Sequence, residues 1–300
     1  MTLFNENETL WHYTDSIGLL GILQSKLFMA SSAIYLNDAA ELSYGKKCLA
    51  KMLYAIGGWL GNSHPDEPGS SIVDCAEALS GEKRGWVHPP DMPETYIVSF
   101  SEDGDVLSQW RGYTEGSGFS LGFNREELEL HFRTSNSQTE LGKVVYGEKS
   151  SQNLFKPIIT EQFLSSSGLS KFDVTLSGIH YWDQFYDAPR LPQLEVENLL
   201  REVGWCKDPA FEEEKEWRLK SNGTYGVKVR TRRGELLPYA ELSFPTSALR
   251  EVRLGPGGDR ELRAKAIKYA LGQHGFSVRG SNEQITTGVR ISYSEAPYRP

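Results

Sequence analysis

The sequence predicts an α+β fold, a β-sheet core carrying helical inserts, on three observations. Thr95 to Ser101, TYIVSFS, alternates as a strand does, with Tyr96, Val98 and Phe100 on one face and Ser99 and Ser101 on the other. Residues 151 to 205 carry helical periodicity, in Leu154, Ile158, Ile159, Phe163 and Leu164 and again in Leu194, Val196, Leu199, Leu200 and Val203. Beyond Pro209 the pattern returns to strands, with a hairpin predicted around Arg232-Arg233-Gly234.

From the N-terminus, Leu10 to Thr14 reads as a strand, and Thr14 or Asp15 can cap the helix after it. Ile17, Leu20, Leu23 and Leu27 recur at helical spacing, and Lys26 suits the last turn of that helix. Leu27 to Ala30 and Ile34 to Leu36 are short extended runs. A second helix starts at Asn37-Asp38 with a stripe of Leu42, Leu49, Met52, Leu53, Ile56 and Leu60, and Tyr44 falls on its far side. Residues 61–94 are polar and rich in Pro and Gly, which predicts a surface insert or lid with one short helix at 72–79. Val106, Leu107, Trp110 and Tyr113 then follow helical spacing. Gly116 to Phe123 reads as a glycine-rich hairpin, and Leu141 to Gly147 as a strand. Strands at 216–220 and 249–254 follow, then a helix from Asp259 to Gln273 with Leu262, Ala266, Tyr269 and Leu271 apolar, and a last strand at 289–294. The reading is of one α+β domain over 1–300, with 61–94 and 151–205 as inserts.

Composition narrows the chemistry. No apolar run approaches the ~20 residues a membrane span needs. The first ten residues lack the basic and apolar regions of a signal peptide. Three widely spaced cysteines, Cys48, Cys75 and Cys206, predict reduced thiols in a cytoplasm, and no Cys/His spacing matches a zinc site. The net charge of −8 is uneven, because residues 220–300 alone carry 14 Lys and Arg against 7 Asp and Glu. That basic third suits an anionic partner, or else packs against the acidic remainder. The dinucleotide fingerprint GxGxxG is missing, which disfavours Rossmann oxidoreductase chemistry.

Two sets of polar residues stand out. His12, Tyr13, Thr14, Tyr35, Asn37, Asp38, Glu41 and Tyr44 cluster in the first 45 residues. Glu214 and Glu216 lie two apart at a predicted strand start, where i and i+2 share a face, and Arg218 follows on that face as a counter-charge. The plain alternatives are a core histidine, a turn and an ion-pair row.

His12-Tyr13-Thr14, Ile22-Leu23-Gln24-Ser25-Lys26-Leu27, Ile34-Tyr35-Leu36-Asn37-Asp38 and Ser43-Tyr44 resemble the dinucleotide-binding half of ADP-ribosyltransferases of the His-Tyr-Glu type. Tyr13 stands where those enzymes have glycine. HYT, LNDAAE, SFSEDGDVLSQWRGY, GFSLGF, EKEWR and the terminal APYR are similar to a bacterial family catalogued as domain of unknown function 2971. The resemblance implies a split-sheet fold and NAD as substrate. Glu216, with Glu214 second, would stabilise the oxocarbenium-like ribose as the nicotinamide bond breaks. His12 would bond a ribose hydroxyl, and Tyr44 or Tyr35 would stack on nicotinamide. Ser101, Trp110, Tyr113 and Arg218 would line the same cleft. ADP-ribose would pass to an unidentified protein, nucleic-acid or small-molecule acceptor, as in a toxin or phage-defence effector. The alternative expectation is a non-catalytic module that binds a nucleotide or nucleic acid.

Overall fold

The computed structural model describes residues 8–35, 39–63, 76–81, 92–114, 118–135, 138–167, 172–175, 178–181, 196–222, 226–232, 234–279 and 288–297. The chain forms two compact units, each assembled from separated stretches. The first contains residues 1–32, 96–143 and 212–300, and the second residues 33–95 and 144–211. Both stretches read as inserts, 61–94 and 151–205, fall in the second unit. Elements are numbered along the whole chain.

The first unit is built on a ten-stranded mixed sheet. Its strands are β1 (Thr9–Thr14), β2 (Leu27–Ser32), β3 (Tyr96–Ser101), β4 (Phe119–Asn124), β5 (Thr139–Lys143), β10 (Glu216–Ser221), β11 (Lys228–Arg232), β12 (Glu235–Ser243), β13 (Leu249–Leu254) and β14 (Arg290–Tyr293). The main order is β11-β12-β2-β3-β1-β4-β13-β14, and β10 joins β3 with β5 beyond it. Among the described strands of this sheet only β13 and β14 pair in parallel. Within the glycine-rich stretch 116–123 the described residues supply β4, which pairs with β1 and β13.

One edge of β3 is split. Its start pairs with β2, at Ser31↔Ile97, and its end pairs with β1, at Trp11↔Ser101. The opposite edge is taken by β10 along its whole length, from Ser221↔Tyr96 to Glu216↔Ser101. β1 and β2 therefore diverge across the middle of β3, at Ser99.

The two faces of the sheet differ in chemistry. Leu10, Phe28, Ala30, Val98, Phe100, Leu121, Phe123, Leu219, Leu242, Phe244 and Val252 build the apolar face. Phe28 meets Phe123 at 5.0 Å and Phe244 at 4.6 Å between ring centroids. Helices α1 (Ser16–Ser25), α5 (Arg125–Ser135) and α8 (Arg260–Gln273) join this core through Leu19, Ile22 and Leu23, Leu128 and Phe132, and Ile267 and Leu271. On the other face the register aligns Glu216, Ser101, Trp11, Gly122, Glu251 and Arg290 in one row across six strands.

Helix α1 begins at Asp15, whose carboxylate accepts the Gly18 N–H, and ends at Lys26 with φ 59°. Its buried face is rotated from the predicted one. Leu19, Ile22 and Leu23 go inward, while Ile17 and Leu20 are exposed. Both triplets satisfy helical spacing, and packing against the sheet selects one of them. Helix α8 shows the same shift: Asp259 caps it as expected, but Leu262 and Tyr269 point to solvent and Ala264, Ile267 and Leu271 are buried.

The second unit packs α2 (Ala39–Ser63), the short helical stretch α3 (76–80), α6 (Glu148–Ser167) and α7 (Val196–Val203) with two small sheets. One sheet pairs β6 (Val145–Tyr146) with β9 (Cys206–Lys207), and the other pairs β7 (Phe172–Thr175) with β8 (Gly178–Tyr181). The stripe of α2 is buried at Leu42, Leu49, Met52, Leu53 and Ile56, facing inward as the spacing predicts. A Cβ on Gly45 would stand 2.8 Å from Val203, so glycine lets α2 and α7 approach closely. Three expectations need correction. Residues 33–35 form a 3-10 turn instead of an extended run. The 151–205 block contains the β7–β8 hairpin. The strand read over 141–147 breaks at Val144, because Lys143 pairs with Trp217 whereas Val145 donates its N–H to Trp205.

Candidate ligand site at the split sheet edge

His12 lies where β1 and β2 part. Its Nδ1 is 2.9 Å from the Ser99 carbonyl oxygen, which accepts only, so Nδ1 carries the hydrogen. The ring fills the gap in strand pairing and packs against Phe100 at 5.7 Å and Phe28 at 6.1 Å. Burial lowers its pKa below the ordinary 6.5; the Ser99 bond opposes this, and the charge of Arg230 adds to the lowering. The imidazole is therefore neutral at pH 7, and its Nε2 lone pair has no hydrogen-bond partner among the described residues.

Glu216 opens β10 and is buried. Arg218 donates from Nε to Oε1 at 2.8 Å and from Nη2 to Oε2 at 3.0 Å, a two-point pair within one strand face. The predicted counter-charge is thus present, and Trp217 lies on the opposite face against the apolar core. The predicted carboxylate pair does not form on a strand, however. Glu214 ends a 3-10 turn, Pro209–Glu214, and Lys215 follows with φ 44°, so the i, i+2 alternation begins only at Glu216. The Glu214 carbonyl accepts a hydrogen bond from the Ser101 hydroxyl at 2.8 Å.

His12 and Glu216 do not share a face of the sheet. Trp11 and Ser101 stand in register with Glu216, and strand alternation then sends His12 to the other side with Leu10. The single cleft expected for both residues is thereby corrected: β1 enters the sheet with Trp11, not His12, on the Glu216 face.

Two further first-unit candidates, Tyr13 and Trp110, hold the loop after β3. Tyr13 donates its hydroxyl to the Asp103 carbonyl and accepts the Val106 N–H, both at 2.9 Å. Burial raises the Tyr13 pKa far above the ordinary range, so the hydroxyl keeps its proton. Trp110, in α4 (Leu107–Tyr113), is buried against Tyr13 at 4.8 Å and donates Nε1–H to Asp105 at 2.8 Å. Asp105 also accepts from Ser294 and from the Glu295 N–H. Thr14 ends β1, and Asp15, not Thr14, caps α1. Tyr113 is exposed at the end of α4.

The other candidates belong to the second unit. Tyr35 is exposed. Tyr44 hydrogen-bonds Cys48, and burial together with that thiol raises its pKa. Asn37, Asp38 and the side chain of Glu41 lie outside the described residues.

Residues not singled out in the sequence complete the picture. Arg230, on β11, donates to Ser31 at 2.9 Å and stacks over Tyr239; the alternation KVRTR at 228–232 is its one sequence signal. Glu251, fully buried on β13, accepts from Ser292, with Arg253 at 3.3 Å and Arg290 at 3.7 Å. No sequence motif marks it. Among the described residues no group of three or more His, Cys, Asp or Glu is placed to hold a metal ion. No described helix is long and apolar enough to cross a membrane.

A family model described as "Protein of unknown function (DUF2971)" matches residues 109–219, a stretch that includes Trp110, Glu214, Glu216 and Arg218. No curated protein matches the chain. No solved structure matches it either.

Proposed function

We propose that this chain is a nucleotide-binding protein that holds its ligand at the split edge of β3, without a catalytic His12–Glu216 pair. One observation carries this reading: His12 and Glu216 stand on opposite faces of one sheet, and Arg218 already bonds both Glu216 oxygens. A carboxylate closed in this way has little to offer a developing oxocarbenium charge. The neutral Nε2 of His12 can accept a ribose hydroxyl. NAD, the substrate implied by the sequence resemblance, offers that group.

The reading is tested by calorimetric titration of NAD, ADP-ribose and a short single-stranded RNA, with nicotinamide release followed in parallel. The expected result is binding of NAD or ADP-ribose that His12→Ala abolishes, with no nicotinamide released. Binding of the RNA alone, or no binding of any of the three, overturns it.

The second reading is an NAD-dependent ADP-ribosyltransferase. It is favoured by the lodging of His12 in a split sheet edge and by the chain order His12, Tyr44, Glu216. Glu216 would then have to leave Arg218 to face the ribose, and the acceptor would be a protein, a nucleic acid or a small molecule. Nicotinamide release that is lost in a folded Glu216→Gln protein establishes this reading over the first.

A further inference from the structure

β11 is the last strand at one end of the large sheet, paired on its inner edge with β12 over five registers from Lys228↔Tyr239 to Arg232↔Glu235. Among the described residues no strand pairs with its outer edge. The strand has no proline and no bulge, two features that natural edges commonly use to refuse a partner.

β11 alternates between an apolar side and a cationic side, the latter lying over the buried Leu237 and Tyr239 of β12. Val229 stands opposite Pro238, and Leu236 opposite Thr231, on the side that carries Ala240 and Leu242 into the core. Val229 is 58% exposed and Leu236 67%, so the apolar face of the sheet runs on into solvent here. Lys228 and Arg230 alternate with these residues, and the sequence KVRTRR places four cations in six residues. Lys228 already holds one carboxylate, that of Glu241, at 2.8 Å.

This pattern selects among partners. An antiparallel pairing of two copies, centred on Val229 or Arg230 with faces kept continuous, would set cationic positions against cationic positions. Like charges directly opposite in a sheet are destabilising. A strand alternating carboxylate and apolar side chains meets the opposite situation on both faces. The geometry points to β11 as a docking edge for an acidic, strand-forming peptide that alternates carboxylate and apolar residues. Main-chain hydrogen bonds would supply affinity, and the two-sided pattern would supply specificity. The inference is independent of the nucleotide reading.

The test uses the full chain and a fluorescein-labelled nonapeptide alternating Glu and Val, followed by anisotropy. The control peptide has the same composition arranged as a Glu block and a Val block. The alternating peptide is expected to bind at least about tenfold more tightly than the block peptide. Val229→Glu is expected to weaken it by a similar factor, because a carboxylate then meets the incoming strand. Leu236→Glu is the second variant, and circular dichroism melting checks that each is folded. Equal binding of the two peptides overturns the proposal, as does displacement of the peptide by single-stranded RNA of equal length. Self-association that Val229→Glu abolishes also overturns it in favour of a second copy.

Discussion

Arg218 closes a two-point ion pair on Glu216 from the next position of the same strand face, with both side chains at most 5% exposed. Removing one charge of a buried pair weakens what compensates the other, at a cost of up to about 3–5 kcal/mol. Glu216→Gln is therefore expected to lower the urea or thermal midpoint substantially. Glu216→Gln combined with Arg218→Met should recover part of that loss, since no buried charge is left alone. A Glu216→Gln protein as stable as the parent would show that the pair does not support the fold.

His12 makes stability depend on pH in a defined direction. Its folded pKa lies below the unfolded value of 6.5, so between the two the unfolded chain binds more protons. This contribution is complete above about pH 6.5 and is lost as pH falls toward the folded pKa. Urea midpoints across pH 5–8 should rise with pH in that window more steeply for the parent than for His12→Gln. Equal slopes would mean that the ring titrates as it does in the unfolded chain.

Trp11 is enclosed by two glycines to different degrees. A Cβ on Gly104 would lie 2.3 Å from the Trp11 ring, whereas one on Gly122 would lie 3.0 Å away. Gly104→Ala must displace the loop after β3 or the indole, at roughly 1–3 kcal/mol by the usual cost of overpacking. Gly122→Ala is expected to cost less. Denaturation followed by tryptophan fluorescence ranks the two, and the reverse order would contradict this account.

Tyr13→Phe keeps the ring against Trp110 but deprives the Asp103 carbonyl and the Val106 N–H of their shared partner. The expected loss is about 1–3 kcal/mol, the scale for leaving a buried polar group unsatisfied. Amide exchange at Val106 should quicken in the same variant. Slow exchange and unchanged stability would show that water replaces the hydroxyl without penalty.

The sequence by itself determined the elements that depend on local chemistry. Asp259 was legible as a helix cap, and Asp15 as one of two candidates beside Thr14, because a carboxylate satisfies the N–H groups at a helix start wherever that helix later packs. TYIVSFS was legible as β3, since period-two alternation has one meaning in a half-buried strand. Arg218 was legible as the partner of Glu216, because two positions along a strand return to the same face.

Tertiary structure decided what depends on neighbours distant in sequence. Ile17-Leu20 and Leu19-Ile22-Leu23 both satisfy helical spacing, and only contact with the sheet selected the second set. Residues 141–147 carry no mark of a break, yet Lys143 pairs within one unit and Val145 within the other. His12 and Glu216 came apart for a related reason. Strand alternation gives each side chain a face relative to its own neighbours, but the pairing of Trp11 with Ser101 fixes which face of β1 matches which face of β10. That register is set by the burial of Leu10, Phe28, Phe100 and Leu219 together. No single stretch of sequence contains it, because a shift of one residue would reverse every face along the strand.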